Sequence, residues 1–95
     1  MEGQASISAD ILARYAADAT GEVEGVCGLA GRRGVKVGEE EGAVRVELHL
    51  AVDWGASIPE LGRTVQERVR EYLNRMADVE PETVDVVVDE VGSPA

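Results

Sequence analysis

Ala43-Val44-Arg45-Val46-Glu47-Leu48-His49-Leu50-Ala51-Val52-Asp53 is the stretch that decides the fold. Val44, Val46, Leu48, Leu50 and Val52 alternate with Arg45, Glu47, His49, Ala51 and Asp53. A period of two over this length predicts a strand with one buried face and one face that is wet or covered by something else. The polar face is mixed in charge, and Ala51 dilutes it.

Downstream, Trp54-Gly55-Ala56 reads as a turn. Ser57-Ile58-Pro59-Glu60 fits a capping box, in which the serine hydroxyl reaches the Glu60 N–H and the Glu60 carboxylate reaches back. Proline is tolerated in a first helical turn, where its missing N–H has no intrahelical partner. The helix is expected to run to about Ala77, with Ile58, Leu61, Val65, Val69, Tyr72, Leu73 and Met76 as its core stripe. Pro81 then punctuates the chain. Thr83–Val91 reads as the last strand, with Val84, Val86 and Val88 inward, Val87 interrupting the polar side between Asp85 and Asp89, and 92–95 as a frayed tail.

Upstream, Gly38-Glu39-Glu40-Glu41-Gly42 reads as a solvated loop. Between Val23 and Val37, glycines at 25, 28, 31 and 34 among Val26, Leu29, Val35 and Val37 predict short strands broken by turns or bulges. Ile11, Leu12, Tyr15, Ala16 and Ala19 recur at helical spacing through 9–20, capped by Ser8 and stopped by Gly21. Gly3–Ile7 reads as a short leading strand.

The expected order is strand, helix, strands, helix, strand. Two amphipathic helices and one set of half-buried strands satisfy each other as an α+β two-layer sandwich, both helices on one face of a small, mostly antiparallel sheet. With 95 residues there is room for one core, so residues 1–95 are expected to form a single domain, ordered over about 3–91. Phe is absent and aromatics are 3% of residues, so that core must be built from Val, Leu, Ile and Ala. It is thin, and a partner or oligomer would supply burial that it lacks.

A formal net charge of −10 weighs against a general phosphate-binding surface, whether nucleic acid or anionic lipid. Cys27 is the single cysteine, which rules out an intrachain disulfide and Cys₄ or Cys₂His₂ zinc sites. Neither a metal site nor a cofactor is expected. Met1-Glu2-Gly3-Gln4 has no signal-peptide character, and no apolar run approaches the roughly 20 residues of a membrane span. A cytoplasmic location follows as the expectation.

Catalytic chemistry finds little to work with. Cys27 and His49 are the single thiol and the single imidazole. A dyad between them would lack supporting context, and Cys27 reads more simply as a small buried apolar group. No catalytic residue is assigned. Gly31-Arg32-Arg33-Gly34 has the form of a backbone-clamping GxxG loop, but that loop joins helices, whereas this one sits among strands. A nucleic-acid-associated regulator acting through it is the alternative reading.

Four segments, spanning Gly3 to Val91, together resemble the alkaline-shock (general stress) protein family of Gram-positive bacteria. They are Gly3-Gln4-Ala5-Ser6-Ile7-Ser8 before an alanine-rich helix; Glu22-Val23-Glu24-Gly25-Val26; Gly34-Val35-Lys36-Val37 with Val44-Arg45-Val46-Glu47-Leu48; and Val52-Asp53-Trp54-Gly55-Ala56-Ser57-Ile58-Pro59-Glu60 with Val65-Gln66, Val69 and Val84-Asp85-Val86. Trp54 stands where tyrosine is usual, and Asp85 where asparagine is usual. The resemblance implies a non-enzymatic factor of the envelope stress response. Some members of the family self-associate and lie under the membrane through a membrane-anchored partner. The expected interaction face is the polar side of the two long strands: Arg45, Glu47, His49, Ala51, Asp85 and Val87.

Overall fold

The computed structural model describes residues 8–30 and 34–93. Helix α1 spans Ala9–Gly21 and helix α2 Ile58–Ala77; the strands are β1 Val26–Leu29, β2 Val35–Glu40, β3 Ala43–Val52 and β4 Thr83–Val91. Both helices lie on one face of a four-stranded sheet, as the α+β two-layer reading requires. The expected leading strand at Gly3–Ile7 lies outside the described residues.

β3 is the spine of the sheet. Along one edge it pairs antiparallel first with β1 (Leu29 opposite Leu50) and then with β2 (Val35 opposite Leu48). Along the other edge it pairs in parallel with β4 (Leu48 opposite Val86). A parallel pair cannot be closed by a hairpin, and α2 supplies the crossover it needs. Two of the three pairings are antiparallel, matching the mostly antiparallel expectation.

The alternation in β3 holds along its length. Val44, Val46, Leu48, Leu50 and Val52 are all buried, against Leu12, Ala16 and Ala19 of α1 and Leu61, Val65, Val69 and Leu73 of α2. Each buried Val or Leu side chain contributes roughly 1.5–3 kcal/mol of transfer free energy, offsetting the chain entropy lost on folding. Between the helices, Tyr15 and Tyr72 meet edge to face at 5.9 Å, a favoured aromatic geometry. Buried Thr20 is satisfied within α1, donating to the Ala16 carbonyl at 2.8 Å. Two side chains of α2 lock the start of β4: Gln66 donates to the Val84 carbonyl at 2.9 Å and Arg70 to the Pro81 carbonyl at 2.7 Å.

Several local expectations are corrected. The Gly38–Gly42 loop is mostly strand, because β2 continues through Gly38, Glu39 and Glu40, and the turn is only Glu41-Gly42. Both turn residues have positive φ, 52° and 84°, the pattern of a two-residue hairpin turn whose twist matches its strands. Ser8 caps α1 as expected, accepting from the Ile11 N–H, but Ser57 makes no side-chain cap bond on α2. Gly21 belongs to α1, whose exit is Glu22 in an ordinary right-handed conformation. Ile11, Ile58 and Met76, expected in the core stripes, lie in the first or last turn of their helices and are exposed. Gly92 is tied rather than frayed, donating to the Val52 carbonyl at 2.8 Å.

Candidate interaction face

Among the described residues no helix covers the second face of the sheet, and the six residues expected there lie on it. Arg45, Glu47, His49 and Ala51 come from β3; Asp85 and Val87 come from β4. The register sets Asp85 beside Glu47 and Val87 beside His49. On the other side of β3, Lys36 stands opposite Glu47.

The centre of this face is an imidazole held at both ends. His49 Nε2 lies 2.6 Å from Glu47 Oε2, and His49 Nδ1 lies 2.9 Å from Asp89 Oδ2. A neutral imidazole has one N–H, so serving two ionised carboxylates requires the protonated ring, in which both nitrogens donate. Accordingly the His49 pKa is raised, first by the bond to Glu47 and then by that to Asp89. The Glu47 pKa is lowered, chiefly by the same bond. The side chain of His49 is 26% exposed, so the pair is sheltered but not sealed.

Two β-bulges shape the neighbourhood. Leu50 is opposite Val88 but Ala51 is opposite Glu90, which makes Asp89 the extra residue of β4. On the opposite edge, Val26 faces Val52 and Gly28 faces Ala51, which makes Cys27 the extra residue of β1. Bulges re-aim side chains, and here each extra residue finds a polar partner. Asp89 takes His49. Cys27 Sγ lies 2.8 Å from Asp53 Oδ1.

The Cys27–His49 dyad therefore does not assemble, since each member is engaged elsewhere. Cys27 is exposed rather than a buried apolar group. The Asp53 carboxylate accepting from its thiol raises the Cys27 pKa, which disfavours the nucleophilic thiolate. Glu47 and Asp89 sit at opposite nitrogens of one ring, so they do not converge on a common ligand. Among the described residues, no group of three His, Cys, Asp or Glu side chains could hold a metal ion. Arg45 is occupied within its own chain, 3.0 Å from Glu82 and 3.8 Å from Glu40. Beside these paired groups the face carries exposed Asp85, Val87, 39% exposed, and half-buried Ala51.

Alternation puts Asp89 on the polar side with Asp85, but its pairing with His49 is not legible from spacing. Its signal is the break in alternation at Val86-Val87-Val88-Asp89-Glu90, which marks the bulge. Arg32 and Arg33 lie outside the described residues. Their flanks are informative: the Ala30 N–H donates to the His49 carbonyl and the His49 N–H to the Gly34 carbonyl, each at 2.7 Å. The chain leaves and rejoins the sheet at one residue of β3. A Cβ on Gly34 would lie 2.5 Å from Leu29 Cβ and 3.1 Å from the Ala30 carbonyl oxygen, so packing alone accounts for this glycine. No helix among the described residues is long and apolar enough to cross a membrane.

The model of the alkaline-shock protein family, described as having a cell envelope-related function, matches residues 1–93. Two Bacillus subtilis (strain 168) proteins, YloU and YqhY, both described as uncharacterized, are each 24% identical to this chain. The YloU match covers 94% of this chain and 88% of YloU; the YqhY match covers 88% and 73%. Among solved structures, a histidine-to-alanine variant of MamM-CTD superposes with a TM-score of 0.63 at 13% identity, covering 90% of this chain and all of that one. A manganese form of a MamM CTD variant gives 0.59 at 15% identity, covering 85% and 96%. At such identities the likeness is one of fold.

Proposed function

The chain belongs to the alkaline-shock protein family, whose function is related to the cell envelope, and on that footing we propose that it is a non-enzymatic interaction domain that self-associates and docks on a membrane-anchored partner through its open sheet face. The observation that carries this reading is the uncovered face of β3 and β4. His49, Glu47, Asp89 and Arg45 are paired within the chain, and an exposed Val87 stands beside the His49 clamp. A face meant only for water needs neither internal ion pairing nor an exposed valine at its centre. Association across a two-fold axis would bring each Val87 strip onto its copy, since such a patch must complement itself. Arg45 is already held by Glu82, so its part is to keep the rim neutral rather than to pair across the axis.

The test is affinity capture from separated membrane and soluble fractions, with wild type and Val87→Lys as baits. Recovery of a membrane protein by wild type and its loss with Val87→Lys is expected. Equal recovery by both baits would contradict the role of the face.

A further inference from the structure

At the end of the molecule where β3 and β4 finish, three large apolar side chains are exposed: Trp54 at 63%, Val91 at 50% and Ile58 at 45%. The backbone brings their positions to one end. Val91 pairs with Val52, and Gly92 then donates to the Val52 carbonyl. That bond brings Gly92 beside the turn, where a Cβ on it would lie 3.6 Å from the Trp54 backbone nitrogen. The turn runs through Gly55 at positive φ, 88°, into Ile58, the first residue of α2. Single exposed apolar residues need no explanation. A tryptophan grouped with two aliphatic side chains is different, because tryptophan is the type most enriched at binding hot spots.

The surroundings are acidic. Asp53 precedes Trp54, Glu90 precedes Val91, Glu60 lies in the first turn of α2, and Glu24 precedes Gly25, whose carbonyl accepts from the Asp53 N–H at 2.8 Å. All four carboxylates are exposed. The three segments that build this end, 21–29, 52–62 and 85–93, contain no lysine or arginine, and Arg68 of α2 lines one groove with Glu24 and Glu60 and leaves Asp53 and Glu90 outside it.

We propose that this end docks a basic amphipathic segment of a partner protein. Its apolar side chains seat on Trp54, Ile58 and Val91, and its lysines or arginines reach Glu24, Asp53, Glu60 and Glu90. Charge selects the occupant: a second copy meeting this end with its own would set the same four carboxylates against these, and an anionic membrane surface is repelled for the same reason. The site is separate from the open face and stands even if that reading fails.

The probe is a synthetic amphipathic peptide of leucine and lysine, titrated into the full chain. Binding is followed by calorimetry and by the emission of Trp54, the single tryptophan. Binding that salt weakens, with a blue shift of the emission, is expected. Trp54→Ala and Val91→Lys should each weaken it about tenfold or more, while Val87→Lys should leave it unchanged. The substituted side chains are exposed, and thermal melts confirm that each variant folds. The matching leucine–glutamate peptide and phosphatidylglycerol vesicles should not bind. The proposal is overturned if the basic peptide fails to bind, binds without changing the Trp54 emission, or binds Trp54→Ala as tightly. Comparable binding of the acidic peptide or the vesicles would also overturn it, as would loss of self-association in Trp54→Ala.

Discussion

His49 and Glu47 stand two positions apart on β3 with Nε2 2.6 Å from Oε2, and the fold adds Asp89 at the other ring nitrogen. Their titrations stabilise opposite ends of a pH window. His49 is raised above its ordinary 6.5, so its contribution is complete below 6.5 and is lost as pH climbs through the raised value. Glu47 is lowered below its ordinary 4.5, so its contribution is complete above 4.5 and is lost as pH falls through the lowered value. Both are present between 4.5 and 6.5. Thermal melts of wild type and His49→Gln should therefore differ most in that window and converge toward alkaline pH. A difference that stays constant across pH would show that the clamp does not titrate as described. Deprotonation also leaves Glu47 and Asp89 uncompensated on the open face, so self-association should weaken over the same alkaline range.

The core of α2 gives a second expectation. Val69 is fully buried against the sheet. Val69→Asp places an unpaired charge there, at a cost of several kcal/mol against a whole stability of about 5–15 kcal/mol. Circular dichroism should find no cooperative melt. A melt with a midpoint near that of wild type would mean the buried face of α2 is wrongly assigned.

Gly34 gives a third. Alanine there must displace Leu29 or the Ala30 backbone, and overpacking of this kind costs about 1–3 kcal/mol. Gly34→Ala should lower the urea midpoint without changing the slope. Substituting Arg32 and Arg33 with glutamate should leave nucleic-acid binding where it began, with none. Tight, salt-sensitive binding of RNA or DNA by wild type would restore the alternative reading of this loop.

Where side-chain periodicity sets structure, the sequence was readable. The alternation of β3, the spacing of Leu61, Val65, Val69 and Leu73, and the bounds of β4 each follow from which side must be dry. Boundaries that depend on backbone angles were not readable. Three consecutive glutamates look like a loop, yet only Glu41 adopts positive φ, and Glu39 and Glu40 pair with β3. The two bulges were equally hidden, because an extra residue shows itself only against its partner strand. Glu47 could be placed on the His49 face from spacing alone. Asp89 reaches the ring only because β4 runs parallel to β3 and bulges beside Ala51. Ser57 had the right spacing for a capping box and does not form one, since a motif licenses a bond without compelling it.

Sedimentation across protein concentration, comparing wild type with Val87→Lys, tests most directly whether the open face is an interface. Val87 is exposed, so the lysine does not disturb the core, and in a two-fold contact it would set two like charges against each other. Wild type should show reversible, concentration-dependent self-association, weakened about tenfold or more in Val87→Lys, since like-charge juxtaposition at an interface costs several kcal/mol. A wild type that sediments as a monomer at every concentration, or a Val87→Lys that associates as wild type does, would contradict it.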